Sequence, residues 1–309
     1  MARSRFVGDA GLTVRMTTVM FLLGALFVAL VVGLALVVGA GFGYGLGLLV
    51  GVAAIAMAVY QWANSDKVAM RAMRAREVTP QEAPELHGMI DRLCALADMP
   101  KPRVGVADTS VPNAFATGRS PDRAVVCVTT GILDLLTAEE LEGVLAHELS
   151  HVAHRDVLVM TVASSAGIAA GMLTQGSQYG AFGFFGGRGR DNNGLPVWLL
   201  VLLVSLAVYA VSFVLLRLLS RYRELAADRA GAYLTMRPDA LASALQKITG
   251  GINQIPQRDL RQVGAASALC IAPAISGVSL RTLTSTHPSL EQRLDQLARI
   301  QAELSRPTG

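Results

Sequence analysis

An uncharged run of 50 residues, from position 16 to position 65, constrains this 309-residue chain more than any other feature. The hydrocarbon core of a bilayer is about 30 Å thick and is crossed by about 20 apolar residues in a helix. Residues 19–40 and 42–61 each supply such a stretch, with glycines clustered between them, and predict a helical hairpin of two spans. A cleaved signal peptide is the alternative for the first stretch, but its apolar core exceeds the roughly 7–15 residues of a signal sequence.

Two later segments extend this pattern. Residues 197–216 are apolar and lie between Pro196 and Arg217. Residues 157–187 are uncharged but rich in serine and glycine, and we expect a span there to end near Leu173. A helix buried in a soluble core is the alternative for this third segment, although small residues are common where membrane helices pack. Four transmembrane helices are therefore predicted, in agreement with a charged fraction of 16%, against about 25% in soluble domains.

The basic residues predict the orientation of the spans. Lys and Arg precede the first span, follow the second and follow the fourth, whereas the loop between the first two spans has none. Because cytoplasmic loops are enriched in Lys and Arg, both termini and residues 63–156 are predicted to be cytoplasmic. The glycine-rich loop at residues 176–194 is expected outside. The chain is thus predicted to be a multi-pass protein of the bacterial inner (plasma) membrane.

The composition also bears on partners. The net charge of +4 does not predict nucleic-acid binding, because the basic residues form no stripe with stacking aromatic residues. Cys94, Cys127 and Cys270 are widely spaced and lack a C-x-x-C pattern, so neither a disulfide framework nor a thiolate metal site is predicted. The lipid bilayer is the predicted partner, and the sequence is compatible with a homo-oligomer.

Residues 63–156 predict a mixed α and β domain. Residues 79–82, Thr-Pro-Gln-Glu, form a capping box with proline at the first helical position, and they predict a helix that begins there. Three β-rich runs follow at residues 103–107, 113–117 and 124–129, separated by turn residues, and predict a small sheet. A second capping box at residues 137–140 predicts another helix.

That second helix contains the sequence His-Glu-Leu-Ser-His at positions 147–151. Histidines four residues apart project from one helical face, so His147 and His151 can both reach one Zn²⁺ at about 2.0–2.1 Å. Glu148 lies beside the first ligand and can act as a general base toward an attacking water. Two surface histidines are the alternative, but this does not explain the uncharged residues 143–146 that precede them.

A catalytic zinc needs a third protein ligand and one open position. Glu224 follows the fourth span and can supply the ligand, and Asp228, one turn further on, can hold the outer nitrogen of a ligand histidine. The alternative is an ordinary solvated helix face on which both carboxylates pair with neighbouring arginines.

These motifs together resemble the HtpX family of membrane-embedded zinc metalloproteases, which are related to the CAAX prenyl endopeptidases. The resemblance rests on H-E-x-x-H, on S-R-x-x-E-x-x-A-D at residues 220–228, on the flanking spans, and on residues 65–67, 113–118 and 286–288. It implies a mainly α integral membrane protein with an α+β, gluzincin-like zinc metalloprotease domain. It also implies one zinc ion per chain, with His147, His151 and Glu224 as the ligands.

The resemblance assigns further roles. Residues 113–117 resemble the edge strand of the family, which holds a substrate peptide extended by main-chain hydrogen bonds and tolerates many side chains. His287 and Arg293 resemble a pair near the zinc, where His287 is a catalytic donor to the oxyanion of the tetrahedral intermediate. Without the resemblance, His287 is a helix-entry residue and Arg293 a surface charge. The implied substrate-binding residues are Asn113, Ala114, Phe115 and Ala116.

The predicted domains follow from these assignments. Residues 1–62 form the two-span hairpin, and residues 63–156 form the first part of the cytoplasmic protease domain. Residues 157–219 hold the third and fourth spans with the glycine-rich loop, and residues 220–309 complete the protease domain. The predicted function is zinc-dependent hydrolysis of peptide bonds in misfolded or damaged membrane proteins at the cytoplasmic face. The alternatives are an inactive scaffold with a structural zinc site, and a metal transporter, which would need ionisable residues within the spans.

Overall fold

The computed structural model describes residues 10–42, 44–156, 197–254 and 288–306. The predicted third span, the glycine-rich loop and His287 lie outside these residues. In chain order the described elements are α1 (Ala10–Phe42), α2 (Tyr44–Ala63), α3 (Ser65–Ala72), β1 (Ala75–Glu77), α4 (Pro84–Ala97), β2 (Arg103–Ala107), β3 (Ala114–Thr117), β4 (Val125–Thr129), α5 (Thr130–Leu135), α6 (Ala138–Ala153), α7 (Val197–Thr235), α8 (Pro238–Gln254) and α9 (Leu290–Leu304).

The chain divides into two compact units. One unit contains Thr13–Ala63 and Val159–Leu219, and the other contains Met1–Leu12, Asn64–Leu158 and Ser220–Gly309. Each unit is described separately below.

The first unit contains long apolar helices. Helix α1 has 33 residues, and its segment Thr13–Gly33, with a mean hydropathy of 2.4, is the stretch within the described residues that is long and apolar enough to cross a membrane. Its apolar side chains are largely exposed, with Phe21 at 75%. Helix α2 and the beginning of α7 cover the second and fourth predicted spans. The total of four spans stays a prediction.

The second unit contains one four-stranded sheet of order β1-β2-β4-β3. Strands β2 and β4 are parallel, whereas β1 pairs with β2 and β3 pairs with β4 in antiparallel fashion. The three β-rich runs and the small sheet that the sequence predicts are confirmed. Strand β1 was not predicted, because its three residues carry little local signal and are held by pairing with β2. The order of the strands leaves β3 at one edge of the sheet.

The first capping box does not begin a helix where the sequence predicts one. Glu82 Oε2 does accept hydrogen bonds from the backbone N–H of Thr79, at 2.7 Å, and from its hydroxyl, at 3.0 Å. The chain nevertheless makes only a turn there, and α4 begins at Pro84. The proline ring disfavours helical geometry in the residue before it, and Ala83 accordingly has φ −139° and ψ 64°. The predicted start at residue 80 is therefore wrong.

Helix α6 runs through the hydrophobic core of the second unit. The second capping box is confirmed, because the backbone N–H of Thr137 donates to Glu140 at 2.9 Å and that of Glu140 donates to Thr137 at 3.4 Å. Every residue from Gly143 to Val152 is buried, as the uncharged sequence before the histidines predicts. Apolar side chains from α4, the sheet, α8, α9 and the end of α7 complete this core.

Helices α6 and α7 approach each other closely where Gly231 faces His147. A Cβ added at Gly231 would lie 3.0 Å from the backbone nitrogen of His147 and 3.2 Å from its Cα. Backbone atoms inside a buried helix cannot move aside as a flexible side chain can. The glycine therefore sets the spacing of these two helices.

We predict that Gly231→Ala lowers the free energy of unfolding by about 1–3 kcal/mol, because the added methyl group overpacks the contact with α6. The matched control is Gly88→Ala in α4, where a Cβ meets nothing within 4 Å. That change should raise the stability by about 0.5–1 kcal/mol, since alanine is the better helix former. Denaturant unfolding of the detergent-purified protein measures both. Equal stabilisation by the two changes would contradict the close approach.

Candidate active site

Three buried side chains converge at one point of the second unit. His147, His151 and Glu224 each offer a ligand atom, and these atoms all lie within 4.8 Å of one another. The two Nε2 atoms are 3.2 Å apart, and each lies 3.6 Å from an oxygen of Glu224. Two ligands at about 2.0–2.1 Å from a tetrahedral zinc are separated by roughly 3.3 Å. The donor set therefore fits a zinc ion, and the described residues supply three of the four ligands of a tetrahedral site.

Two helices place these donors. Helix α6 carries His147 and His151 four residues apart, so their rings lie on one face, with centroids 4.8 Å apart. Helix α7 carries Glu224 and Asp228, which are also four residues apart and both point to α6. The two carboxylates are 5% and 0% exposed. The alternative of a solvated helix face for Glu224 and Asp228 is therefore wrong.

A chain of buried polar groups orients the first histidine. His147 Nδ1 lies 2.9 Å from an oxygen of Asp228, as the sequence predicts for a group that holds the outer nitrogen of a ligand. Arg293, on α9, donates to both oxygens of Asp228 at 2.7 and 2.6 Å and lies 3.8 Å from Glu224. Arg293 is only 3% exposed, so the surface-charge alternative is wrong. The structure thus brings Arg293 to the site from 65 residues beyond Asp228.

A second chain of this kind orients the other histidine, and the sequence analysis missed it. His151 Nδ1 lies 2.6 Å from Asp156 Oδ2, and the same oxygen lies 3.0 Å from Nε of Arg223. Helix α6 ends at Ala153, and the next residues turn back, with Arg155 in the left-handed region at φ 56°. Helical spacing therefore could not find Asp156, because the contact depends on this turn.

Buried acidic side chains lie against both histidines. Burial opposes ionisation of Asp228, yet Arg293 and His147 lower the pKa of this carboxyl below its ordinary value. Burial likewise opposes ionisation of Asp156, but Arg223 and His151 lower its pKa. Although burial lowers the pKa of His147, hydrogen bonds to Asp228 and Glu224 raise it to about 9. Surroundings that favour a proton on an imidazole also favour a metal cation there.

Glu148 lies beside the donors and is 4% exposed. Burial raises the pKa of its carboxyl, the nearby histidines His147 and His151 oppose this, and the net shift is upward. The backbone of Ala116 lies close to this carboxylate and opposes the rise of its pKa. A carboxyl whose pKa is raised toward neutrality, held beside the open position, is suited to accept and return a proton.

Strand β3 therefore lies next to Glu148. The carbonyl oxygen of Asn113 accepts a hydrogen bond from the backbone N–H of Thr129. Because hydrogen bonding alternates along an antiparallel strand, the main-chain groups of residues 115 and 117 also face β4. By this alternation, the main-chain groups of Ala114 and Ala116 point to the open edge of the sheet. Asn113, Ala114 and Phe115 are buried, and Ala116 is partly exposed. Three of the four predicted substrate-binding residues, Ala114, Phe115 and Ala116, thus lie on β3, and Asn113 directly precedes it. Their role in binding substrate stays a prediction.

The other two described histidines, His87 and His154, are not part of the donor set. Within the described residues, His87 Nε2 lies 3.0 Å from the carbonyl oxygen of Val78, and His154 Nδ1 lies 2.8 Å from that of Ser150. The predicted role of His287 stays a prediction because this residue lies outside the described part of the chain.

The mixed sheet, the buried helix with two histidines and a glutamate, and the carboxylate from a later helix define a metallopeptidase. The family model of Peptidase family M48 matches residues 80–301. The chain therefore belongs to Peptidase family M48, and it is a metalloprotease.

Curated relatives agree with this assignment. The chain is 55% identical over 303 residues to Protease HtpX homolog 1 of Streptomyces coelicolor, and the match covers 98% of this chain and 97% of the relative. It is 50% identical over 302 residues to Protease HtpX homolog of Moorella thermoacetica, with 98% of each chain covered. The similarity to the HtpX family that the sequence motifs indicate is confirmed.

A solved structure shows the same fold. The crystal structure of S. mikatae Ste24p matches with a TM-score of 0.52 at 16% identity. The match covers 92% of this chain and 65% of Ste24p. At this identity the similarity concerns the fold alone.

Replacing Glu224 by Gln should weaken zinc binding by more than 100-fold, because a neutral amide replaces the one carboxylate among the three donors. The matched control is Glu303→Gln on α9, whose carboxylate is exposed and bonds to Tyr233 at 2.6 Å. Zinc content after dialysis against a competing chelator, measured by elemental analysis, distinguishes the two variants. Full zinc content in Glu224→Gln would exclude Glu224 as a ligand.

Proposed function

We propose that this protein is a membrane-anchored zinc endopeptidase that cleaves misfolded or damaged membrane proteins at the cytoplasmic face of the bacterial inner membrane. The observation that carries the proposal is the position of Glu148. Its buried carboxylate lies beside three zinc-type donors and also contacts the open edge of the sheet. A structural zinc site would gain nothing from such a base.

Each side chain of the site has a separate proposed role in hydrolysis. A bound zinc supplies Lewis acidity toward the scissile carbonyl and the attacking water. Glu148 takes the proton of this water and later delivers it to the leaving amine, which its raised pKa favours. Asp228 and Asp156 hold the two ligand imidazoles with Nε2 facing the donor cluster. His287 is proposed as a further donor to the oxyanion.

The open edge of the sheet supports a broad substrate range. A peptide that adds to β3 as a strand is held mainly by main-chain hydrogen bonds, which are the same for any sequence. In the described part of the chain β3 is an edge strand, and the main-chain groups of Ala114 and Ala116 point to that edge. Extended, unfolded segments fit this mode better than folded domains do. This supports misfolded or damaged membrane proteins as substrates.

The sequence of α7 supports action at a membrane surface. The helix begins with apolar residues from Val197 and becomes charged from Arg217, seven residues before Glu224. On this basis we propose that residues 1–62 and 157–219 lie in the bilayer. Residues 63–156 and 220–309 then form the cytoplasmic protease domain.

Glu148→Gln is expected to retain zinc but to lower the rate of proteolysis by about 10²–10⁴-fold, the usual contribution of a general base. The assay is self-cleavage, or cleavage of a membrane-anchored unfolded reporter, in a zinc-supplemented detergent preparation. Glu142→Gln is the matched control, since Glu142 lies on the same helix and pairs with Arg92 away from the donors. If Glu148→Gln binds zinc and cleaves as fast as the wild type, the protein is not a protease of the proposed kind.

The proposed topology predicts the location of fused reporters. A reporter joined after residue 187 should lie outside the cytoplasmic membrane, because this position follows the third proposed span. A reporter joined to the C-terminus is the control and should be cytoplasmic. Alkaline phosphatase and fluorescent protein fusions measure the two locations. Cytoplasmic signal after residue 187 would contradict the third and fourth spans.

A further inference from the structure

The two ligand histidines have matching supports. On each, Nδ1 faces a buried aspartate, and each aspartate in turn faces a buried arginine. In the first set, Asp228 lies on α7 and Arg293 on α9. In the second set, Asp156 lies just after α6 and Arg223 lies on α7.

We infer that Asp156, held by Arg223, is a positioning residue of the zinc site, which fixes the ring of His151 and joins this ligand to Glu224. This inference rests on the proposed zinc site and deepens it. Asp156 does not itself contact the donor atoms and acts through His151. Its partner Arg223 directly precedes Glu224 in α7.

The contact fixes the protonation and the direction of the imidazole. Asp156 Oδ2 lies 2.6 Å from His151 Nδ1, where it accepts the hydrogen that Nδ1 carries whenever Nε2 serves as the metal ligand. The lone pair of Nε2 is then free and faces His147 Nε2 and Glu224 at 3.2 and 3.6 Å. A carboxylate at this position also raises the basicity of the imidazole as a ligand.

The same oxygen of Asp156 connects the two helices that carry the ligands. Oδ2 lies 3.0 Å from Arg223 Nε, so one atom contacts His151 from α6 and Arg223 from α7. Asp156 is 1% exposed and Arg223 is 8% exposed, so water screens this contact little. A rotation of α7 that moved Glu224 away from the two histidines would also break the contact between Arg223 and Asp156.

The backbone before Asp156 is strained in a way that serves this contact. Arg155 has φ 56°, a conformation that residues other than glycine seldom adopt. The turn follows the end of α6 at Ala153, two residues beyond His151, and brings Asp156 back to the ring of His151. Such strain persists where the surrounding contacts impose it and is concentrated at functional sites.

The control is another buried carboxylate that pairs with a basic side chain but lies away from the zinc donors. Glu140 on α6 is 6% exposed and accepts from Lys247 at 2.8 Å and from Ser243 at 2.6 Å. Burial raises its pKa, but these bonds and that from the backbone of Thr137 lower it to about 2. Glu140→Gln therefore removes a comparable buried charge without touching the site.

The experiment compares full-length wild type, Asp156→Asn and Glu140→Gln in detergent. Zinc affinity is measured by competition with a chromogenic chelator, and Tm is measured with zinc and after removal of zinc by EDTA. Asp156→Asn should bind zinc about 10–100-fold more weakly, as expected for a group that supports a ligand. The increase of Tm on zinc addition should fall accordingly, because it depends on the affinity. Glu140→Gln should lower Tm equally in both states and leave the affinity unchanged.

Arg223→Met provides a second test, in which Asp156 itself is unchanged. Because Arg223 acts through Asp156, its replacement should also weaken zinc binding, and the double variant should bind no more weakly than Asp156→Asn alone. If the wild type binds zinc and either Asp156→Asn or Arg223→Met binds zinc with an affinity within about twofold of the wild-type value, only the positioning role is overturned. Wild-type protein that binds no zinc would overturn the proposed function and this inference together.

Discussion

The buried ionisable side chains around α6 must be paired with opposite charges, and this requirement governs how the neighbouring helices pack. His147, Glu148 and His151 lie inside the core, where an unpaired ionised group costs several kcal/mol. The fold meets this cost by bringing Glu224 and Asp228 from α7 and then neutralising the added carboxylates with buried arginines. Removing any one partner would leave a buried charge unpaired. The packing of these helices and the chemistry of the site therefore depend on the same charge pairs.

Strand β3 lies next to this charge cluster and at the edge of the sheet. The order β1-β2-β4-β3 places β3 at an edge, where alternate main-chain groups are not used by β4. Ala116 carries one pair of these groups and lies close to Glu148. The proposed base and the strand proposed to hold the substrate are therefore neighbours in the fold.

Local signals predicted much of the fold. The strands β2, β3 and β4 and the helix that begins after Thr137 follow from alternation, turn residues and a capping box, all of which act within a few residues. The predicted start of α4 is wrong because Pro84 disfavours helical geometry in the residue before it, so the capping box does not begin the helix. Strand β1 was missed because its three residues depend on their partner in β2.

For the site, residue spacing alone identifies the H-E-x-x-H donors, because the geometry of a single helix places residues four apart on one face whatever surrounds it. Spacing also indicates Glu224 and Asp228, which share a face of α7 for the same reason. The folded chain, in contrast, sets which aspartate holds which histidine, buries Arg293 against Asp228 and turns Asp156 back to His151. These contacts depend on helix packing and on one strained turn, neither of which residue spacing encodes.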